Sequence, residues 1–151
     1  MLNEASQRHS VPLWLAARVI QNECPEWAPW VVSPRNRNGT RDVGLMQINS
    51  ANLQKFCEWY RHGAPFNSFN AWDSMDVGLA HLRWLFEKYG DWQEAVCAYN
   101  AGESAVERNR IPATTIAYAR RVLGYRFKGS ATVKMEAQNS LTYKGSHDMM
   151  E

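Results

Sequence analysis

The sequence predicts an all-α fold, and three observations carry that expectation. Apolar residues recur at helical spacing over most of the chain. No stretch alternates with period two over more than a few residues, so a large sheet is not expected. The chain has 151 residues, 45% hydrophobic and 21% charged, which is enough for one domain with a proper core. That domain is placed at residues 1–128. Residues 129–151 are polar and pattern-free, and read as a flexible tail. The sequence holds no internal repeat.

The elements follow in order. Ser10 offers a cap and Pro12 a first-turn residue for the first helix. Leu13, Ala16, Ala17, Ile20 and Cys24 keep its period. Pro25 ends it, because the residue before a proline is pushed out of the helical region. Residues 25–43 carry three prolines, one glycine and little periodicity, so they form a long loop, and such loops in compact domains are usually functional. Within 31–47, Val31, Val32 and Val43 favour strand and Asn38-Gly39 is a turn signal, which allows a small β-hairpin. A helix then runs from Ser50 to His62 and is broken by Gly63-Ala64-Pro65. Asp73 is taken to cap the strongest helix, with Met75, Leu79, Leu82, Phe86 and Tyr89 on one face and Gly90 at its end. Asp91 with Glu94 has the pattern of a capping box for the next helix. A short helix is expected over Glu103 to Asn109. Ile111-Pro112 opens the last one, with Ile116, Ala119, Val122 and Leu123 inward and Gly124 weakening its end.

Composition narrows the function. A net charge of +2 is too small to argue for nucleic acid. Basic residues crowd one loop (Arg35, Arg37, Arg41) and the last helical region (Arg108, Arg110, Arg120, Arg121, Arg126, Lys128). They read as solvated faces, with attraction to an anionic polymer as the sharper alternative. Seven Trp and six Tyr are many; both types serve as platforms for sugar rings, having an apolar face and a polar edge. The three cysteines, Cys24, Cys57 and Cys97, have no framework spacing, so free thiols are expected, with a single bridge such as Cys57 to Cys97 as the alternative. No Cys/His cluster suggests a metal, and no cofactor motif is present. The N-terminus has neither a basic leader nor a cleavage site, and no segment has the length of a membrane span.

Three separated motifs carry chemistry. Glu23 stands at the end of the first apolar helix, Gly44-Leu45-Met46-Gln47-Ile48-Asn49 follows the long loop, and Ala98-Tyr99-Asn100-Ala101-Gly102 closes a later helix. The last turn of a helix carries partial negative charge, which disfavours a carboxylate and raises its pKa. Trp27 and Trp30 would supply an apolar wall pushing the same way. A carboxyl that keeps its proton near neutral pH is what protonation of a glycosidic oxygen requires. The plainer readings are a solvated helix-end Glu, a core role for Leu45, Met46 and Ile48, and a simple helix terminus at Asn100-Ala101-Gly102.

In this order, over about residues 5–127, the motifs resemble the lytic transglycosylase and goose-type lysozyme family, whose members cut bacterial peptidoglycan. The family pattern Ile-x-x-Glu-Ser, aromatic, Pro, Ser-Pro, Gly-Leu-Met-Gln stands here as Ile20-Gln21-Asn22-Glu23-Cys24, Trp27, Pro29, Ser33-Pro34 and Gly44 to Gln47. The resemblance implies a lysozyme-like helical domain. It makes Glu23 the acid/base and Ser33 the residue that orients the substrate's N-acetyl group. Met46 and Gln47 would be cleft wall and sugar contact. Tyr99 and Asn100 would be the pair beside the carboxyl, and Tyr118 the tyrosine of the terminal helix. Cys24 departs from the family serine, Thr114-Thr115 from Glu-Thr, and Ser74-Met75 from Asn-Ile; the Arg35 to Asp42 loop is longer than in many relatives.

The implied reaction uses one carboxyl. Glu23 protonates the bond between N-acetylmuramic acid and N-acetylglucosamine, then takes the proton of the C6 hydroxyl as a 1,6-anhydro ring closes. The resemblance implies no metal or cofactor, glycan strands as partner, and action at the bacterial wall by a monomer. A phage-borne enzyme would fit the missing leader. The nearest rival is a muramidase of the same fold, with Asp42 as candidate for positioning a water; Asn49 is neutral where goose-type lysozymes carry an acid. A silent wall-binding module, and a thiol hydrolase pairing Cys24 with His9, His62, His81 or His147, are the remaining alternatives.

Overall fold

The computed structural model describes residues 1–128; the expected tail at 129–151 lies outside the described residues. Within them are seven α-helices and one two-stranded antiparallel sheet. The helices are α1 Leu2–Arg8, α2 Leu13–Glu23, α3 Leu53–Arg61, α4 Ala71–Tyr89, α5 Trp92–Ala101, α6 Glu103–Glu107 and α7 Ala113–Leu123. The strands are β1 Asp42–Val43 and β2 Ile48–Asn49. No helix among the described residues is long and apolar enough to cross a membrane.

Helix α4 is the spine. Its Met75, Val77, Leu79, Leu82 and Leu85 are buried, and it packs on α5, α3 and α1. Helix α7 lies against α5 and α2, adding Ala119, Val122 and Leu123 to the same core. Gly78 lets the Met46 side chain lie on the α4 backbone, since a Cβ there would stand 2.6 Å from Met46 Cβ and Cγ. This contact seats the Gly44–Asn49 segment on the spine.

Three expectations change at the helix starts. Helix α1 was not foreseen; its seven residues are too short for a readable period, yet Ala5 and Ser6 are buried. Ser10 does not cap α2. It sits at φ +51° in the turn after α1, and Pro12 takes the cap position. The cap of α4 is Asn70, whose Oδ1 accepts from the Asp73 backbone N–H at 3.0 Å. Asp73 lies inside the first turn and pairs with Arg61 at 3.2 Å. Asp91 caps α5 as expected, accepting from the N–H groups of Gln93 and Glu94. Gly90 ends α4 at φ +70°, and Gly124, at φ +58°, stops α7 outright.

The hairpin exists and is larger than one turn signal implies. Val32 bridges Val43, with its tip at Asn36–Thr40, and Asp42 and Val43 then pair onward with Asn49 and Ile48. Elsewhere, buried Asp76 of α4 gathers His9 at 2.7 Å, Arg61 at 3.2 Å and Arg8 at 3.5 Å, tying the end of α1 and α3 to the spine. All three cysteines are free, so the bridge alternative falls.

Candidate active site

A cleft of about 620 Å³ runs between the hairpin and the helices. Glu23, Gln47 and Tyr99 line it, as do Asp42 and Asn49 of the hairpin and His81 of α4. Glu23 is the last residue of α2, where Cys24 leaves the helical region before Pro25. The Tyr118 hydroxyl of α7 donates to Glu23 Oε1 at 2.6 Å. Burial pushes the Glu23 pKa up to about 7; the Tyr118 hydrogen bond opposes the rise and the nearby Asp42 charge adds to it. The expected Trp wall is absent from this cause. Trp27 and Trp30 are 41% and 72% exposed, neither lines the cleft, and the Trp27 indole donates to Gln21. Burial in the protein and the Asp42 charge do the work assigned to those rings.

The other sequence-chosen residues divide between lining and support. Gln47 lines the cleft at φ +46°, its amide donating to the carbonyls of Gly44 at 2.9 Å and Val31 at 3.4 Å. Tyr99 lines it too, while its hydroxyl donates to the Met46 carbonyl at 2.7 Å; burial holds its proton firmly. Asn100 is at the rim, its Oδ1 accepting from buried Thr115 at 2.7 Å. Tyr118 is buried behind Glu23 and holds it. Met46 does not form cleft wall: its side chain is wholly buried on Gly78, and only its backbone serves the site. Ser33 does not line the cleft either. Its Oγ accepts from the Asp42 N–H at 2.8 Å and donates to the Pro34 carbonyl.

Asp42 lies in the cleft, held from both sides. Its Oδ1 accepts from Asn49 Nδ2 at 2.7 Å and its Oδ2 from Asn36 Nδ2 at 3.2 Å. Sequence reasoning missed this arrangement, and the signal for it was the density of Asn and Thr between Asn36 and Asn49. It named His81 only as a possible partner of Cys24 and missed its place in the cleft, where the ring stacks on Trp84 with Nδ1 2.8 Å from the Tyr60 hydroxyl. Burial first, then Lys55, lower the His81 pKa to about 4, so it is neutral near pH 7 and no proton carrier there. Cys24 is sealed in the core with its thiol on the Ala28 carbonyl, and no described histidine meets it, so the Cys24 pairings with His9, His62 and His81 fall; His147 lies outside the described residues. Among the described residues no group of His, Cys, Asp and Glu side chains converges as a metal site would require.

A proton-holding glutamic acid at a helix end, facing a short hairpin across a cleft in a helical body, defines a lysozyme-like domain. The family described as Transglycosylase SLT domain matches residues 1–120, and the chain belongs to that family. Two solved structures share the fold. The 70 kDa soluble lytic transglycosylase Slt70 of Escherichia coli matches 82% of this chain with TM-score 0.68 and 21% identity. Lytic transglycosylase Slt of Pseudomonas aeruginosa, solved as an inactive glutamate-to-glutamine mutant, matches 92% with TM-score 0.66 and 16% identity. The chain spans only 23% and 24% of those two proteins' lengths. No curated protein matches the sequence significantly.

Proposed function

We propose that the domain is a peptidoglycan lytic transglycosylase that cleaves the MurNAc-β-1,4-GlcNAc bond and leaves 1,6-anhydroMurNAc ends. The observation that carries this is Glu23, protonated near neutral pH in an open cleft and aimed by Tyr118. A group with pKa near the working pH can both give and retrieve a proton. Glu23 protonates the glycosidic oxygen, and the carboxylate then accepts the C6 hydroxyl proton as that oxygen closes on C1. An intramolecular hydroxyl has a far higher effective concentration than a loosely held water. Gln47, Tyr99 and Asn100 line the path of the glycan. The site of action is the bacterial cell wall, reached from the periplasm or from outside, as a phage-borne enzyme would.

The second reading is a muramidase, favoured by one observation: Asp42 stands in the same cleft and could hold a water. The test is digestion of purified peptidoglycan and mass spectrometry without reduction. Anhydro ends, one water lighter than reducing ends, are expected; a digest dominated by reducing ends would replace the first reading with the second. Glu23→Gln should abolish both products, whereas a silent wall-binding module would give none even with Glu23 intact.

A further inference from the structure

We propose that Lys55 is a specificity residue that takes a carboxylate of the substrate strand. The inference deepens the glycan-cleaving reading and rests on it. Its first ground is position. Lys55 is half-buried on α3 and lines the cleft, as do Ala51 and Asn52 in the turn that leads into that helix. Phe56 and His81 line it as well, their rings 4.6 Å apart. The second ground is the way the ammonium is held. Lys55 Nζ lies 4.8 Å from the Trp59 ring centroid and 5.3 Å from that of Phe56. Phe56 is buried and Trp59 packs on Trp84 at 5.4 Å, so the shelf under the charge is braced from below. Ring faces attract a cation without accepting conventional hydrogen bonds, which leaves the three ammonium hydrogens for a ligand.

The third ground is a missing counter-charge. Among the described residues no carboxylate pairs with Lys55. Glu58, three residues along α3, accepts from Gln54 at 3.3 Å, and Glu103 of the cleft lining is taken by Lys88. Lys55 therefore presents an unpaired positive charge to the cleft, and its field adds to burial in keeping His81 neutral. A peptidoglycan strand supplies the anion at one of its two sugars. N-acetylmuramic acid carries a lactyl ether, whose carboxyl is either free or amide-linked to a peptide that bears carboxylates of its own. N-acetylglucosamine carries no acid. An ammonium on a flexible stem is a point charge that suits a single carboxylate in either place. Lys55 thus selects muramic acid strands over an uncharged polymer of N-acetylglucosamine, and it does so in binding, apart from the proton transfers of Glu23.

Lys55→Met keeps an apolar stem on the rings and removes the charge, whereas Lys55→Arg keeps the charge. On soluble glycan strands at low salt, Lys55→Met should raise KM about fivefold to tenfold with kcat within about twofold of wild type, and Lys55→Arg should restore most of the loss. In a Glu23→Gln background, which separates binding from turnover, calorimetry should show the same loss of affinity for the strands and none for an N-acetylglucosamine tetramer. With Lys55 intact, that background should bind the strands more weakly as salt rises and the tetramer equally throughout, a comparison that stands even if Lys55→Met does not fold. Two substrates assign the carboxylate. A loss confined to strands stripped of peptide by an amidase points to the lactyl group, and one confined to peptide-bearing strands points to the peptide. Equal losses for strands and tetramer would reduce Lys55 to a shape role and overturn the proposal, as would unchanged affinity of Lys55→Met for both kinds of strand. Absence of cleavage by the wild-type domain, with Lys55-dependent binding intact, would instead remove the catalytic reading and leave the carboxylate site standing.

Discussion

At the scale of one residue, the raised pKa of Glu23 ties the stability of the domain to pH. Its folded pKa of about 7 lies above the 4.5 of an ordinary Glu, so between those values the folded state binds more protons than the unfolded. Stability from this group is full below about pH 4.5 and is lost as pH rises to about 7; the loss is on the order of 3 kcal/mol. Glu23→Gln does not titrate and still accepts from Tyr118. Its melting temperature should therefore exceed the wild type's increasingly from pH 5 to 8 and converge with it in acid, as thermal melts across pH can test. Tyr118→Phe works the opposite lever. The Tyr118 hydrogen bond lowers the Glu23 pKa, so its removal should move the alkaline limb of activity upward and cut kcat roughly tenfold by freeing the carboxyl. A downward shift in the pH–rate profile would contradict this assignment. Glu23 as candidate acid was legible from its place at a helix end, ahead of the Gly44–Asn49 and Ala98–Gly102 motifs. The cause of its raised pKa was not, because the direction in which Trp27 and Trp30 point is set by the loop and not by their spacing.

At the scale of elements, the Gly44–Asn49 segment works by sitting on α4. Gly78→Ala would drive a methyl into Met46 and lift the segment, costing about 1–3 kcal/mol and displacing Gln47 and the Met46 carbonyl held by Tyr99. Denaturant melts together with kcat should show stability and activity falling in concert; unchanged activity would mean the segment finds its place without the spine. Gly44 is tighter still, with a Cβ there falling 2.0 Å from the Ser68 carbonyl at a φ of +78°. Helix existence was legible where periods were long or caps unambiguous, as at α5 with Asp91. It failed where two good caps compete: Asn70 and Asp73 both suit a helix start, and the ion pair of Asp73 with Arg61, a contact between distant residues, favours the earlier one. Met46 was misplaced for a related reason. A residue in a tight segment between two short strands can face core or cleft, and only the bare α4 surface at Gly78 decides it.

At the scale of the whole molecule, Asp76 joins three helices through His9, Arg8 and Arg61. Asp76→Ala leaves the partly buried Arg61 with Asp73 alone and His9 without its partner, and should destabilise the domain by about 3 kcal/mol; chemical denaturation measures it. A change under 1 kcal/mol would show the knot to be ornamental. The fold class and the small hairpin were readable because both rest on local pattern. The Asn36–Thr40–Asn49 arrangement around Asp42 was not, since amides bridging two strands depend on register. Nor could the cleft position of His81 be read, because its setting joins α3, α4 and α5. The unpaired state of all three cysteines has a further consequence. No covalent link closes a loop in this chain, so nothing but noncovalent packing stands between the folded domain and a fully extended strand. Such a polypeptide can be drawn through a pore far narrower than the domain and regain its shape on the other side without an oxidant or a disulfide isomerase.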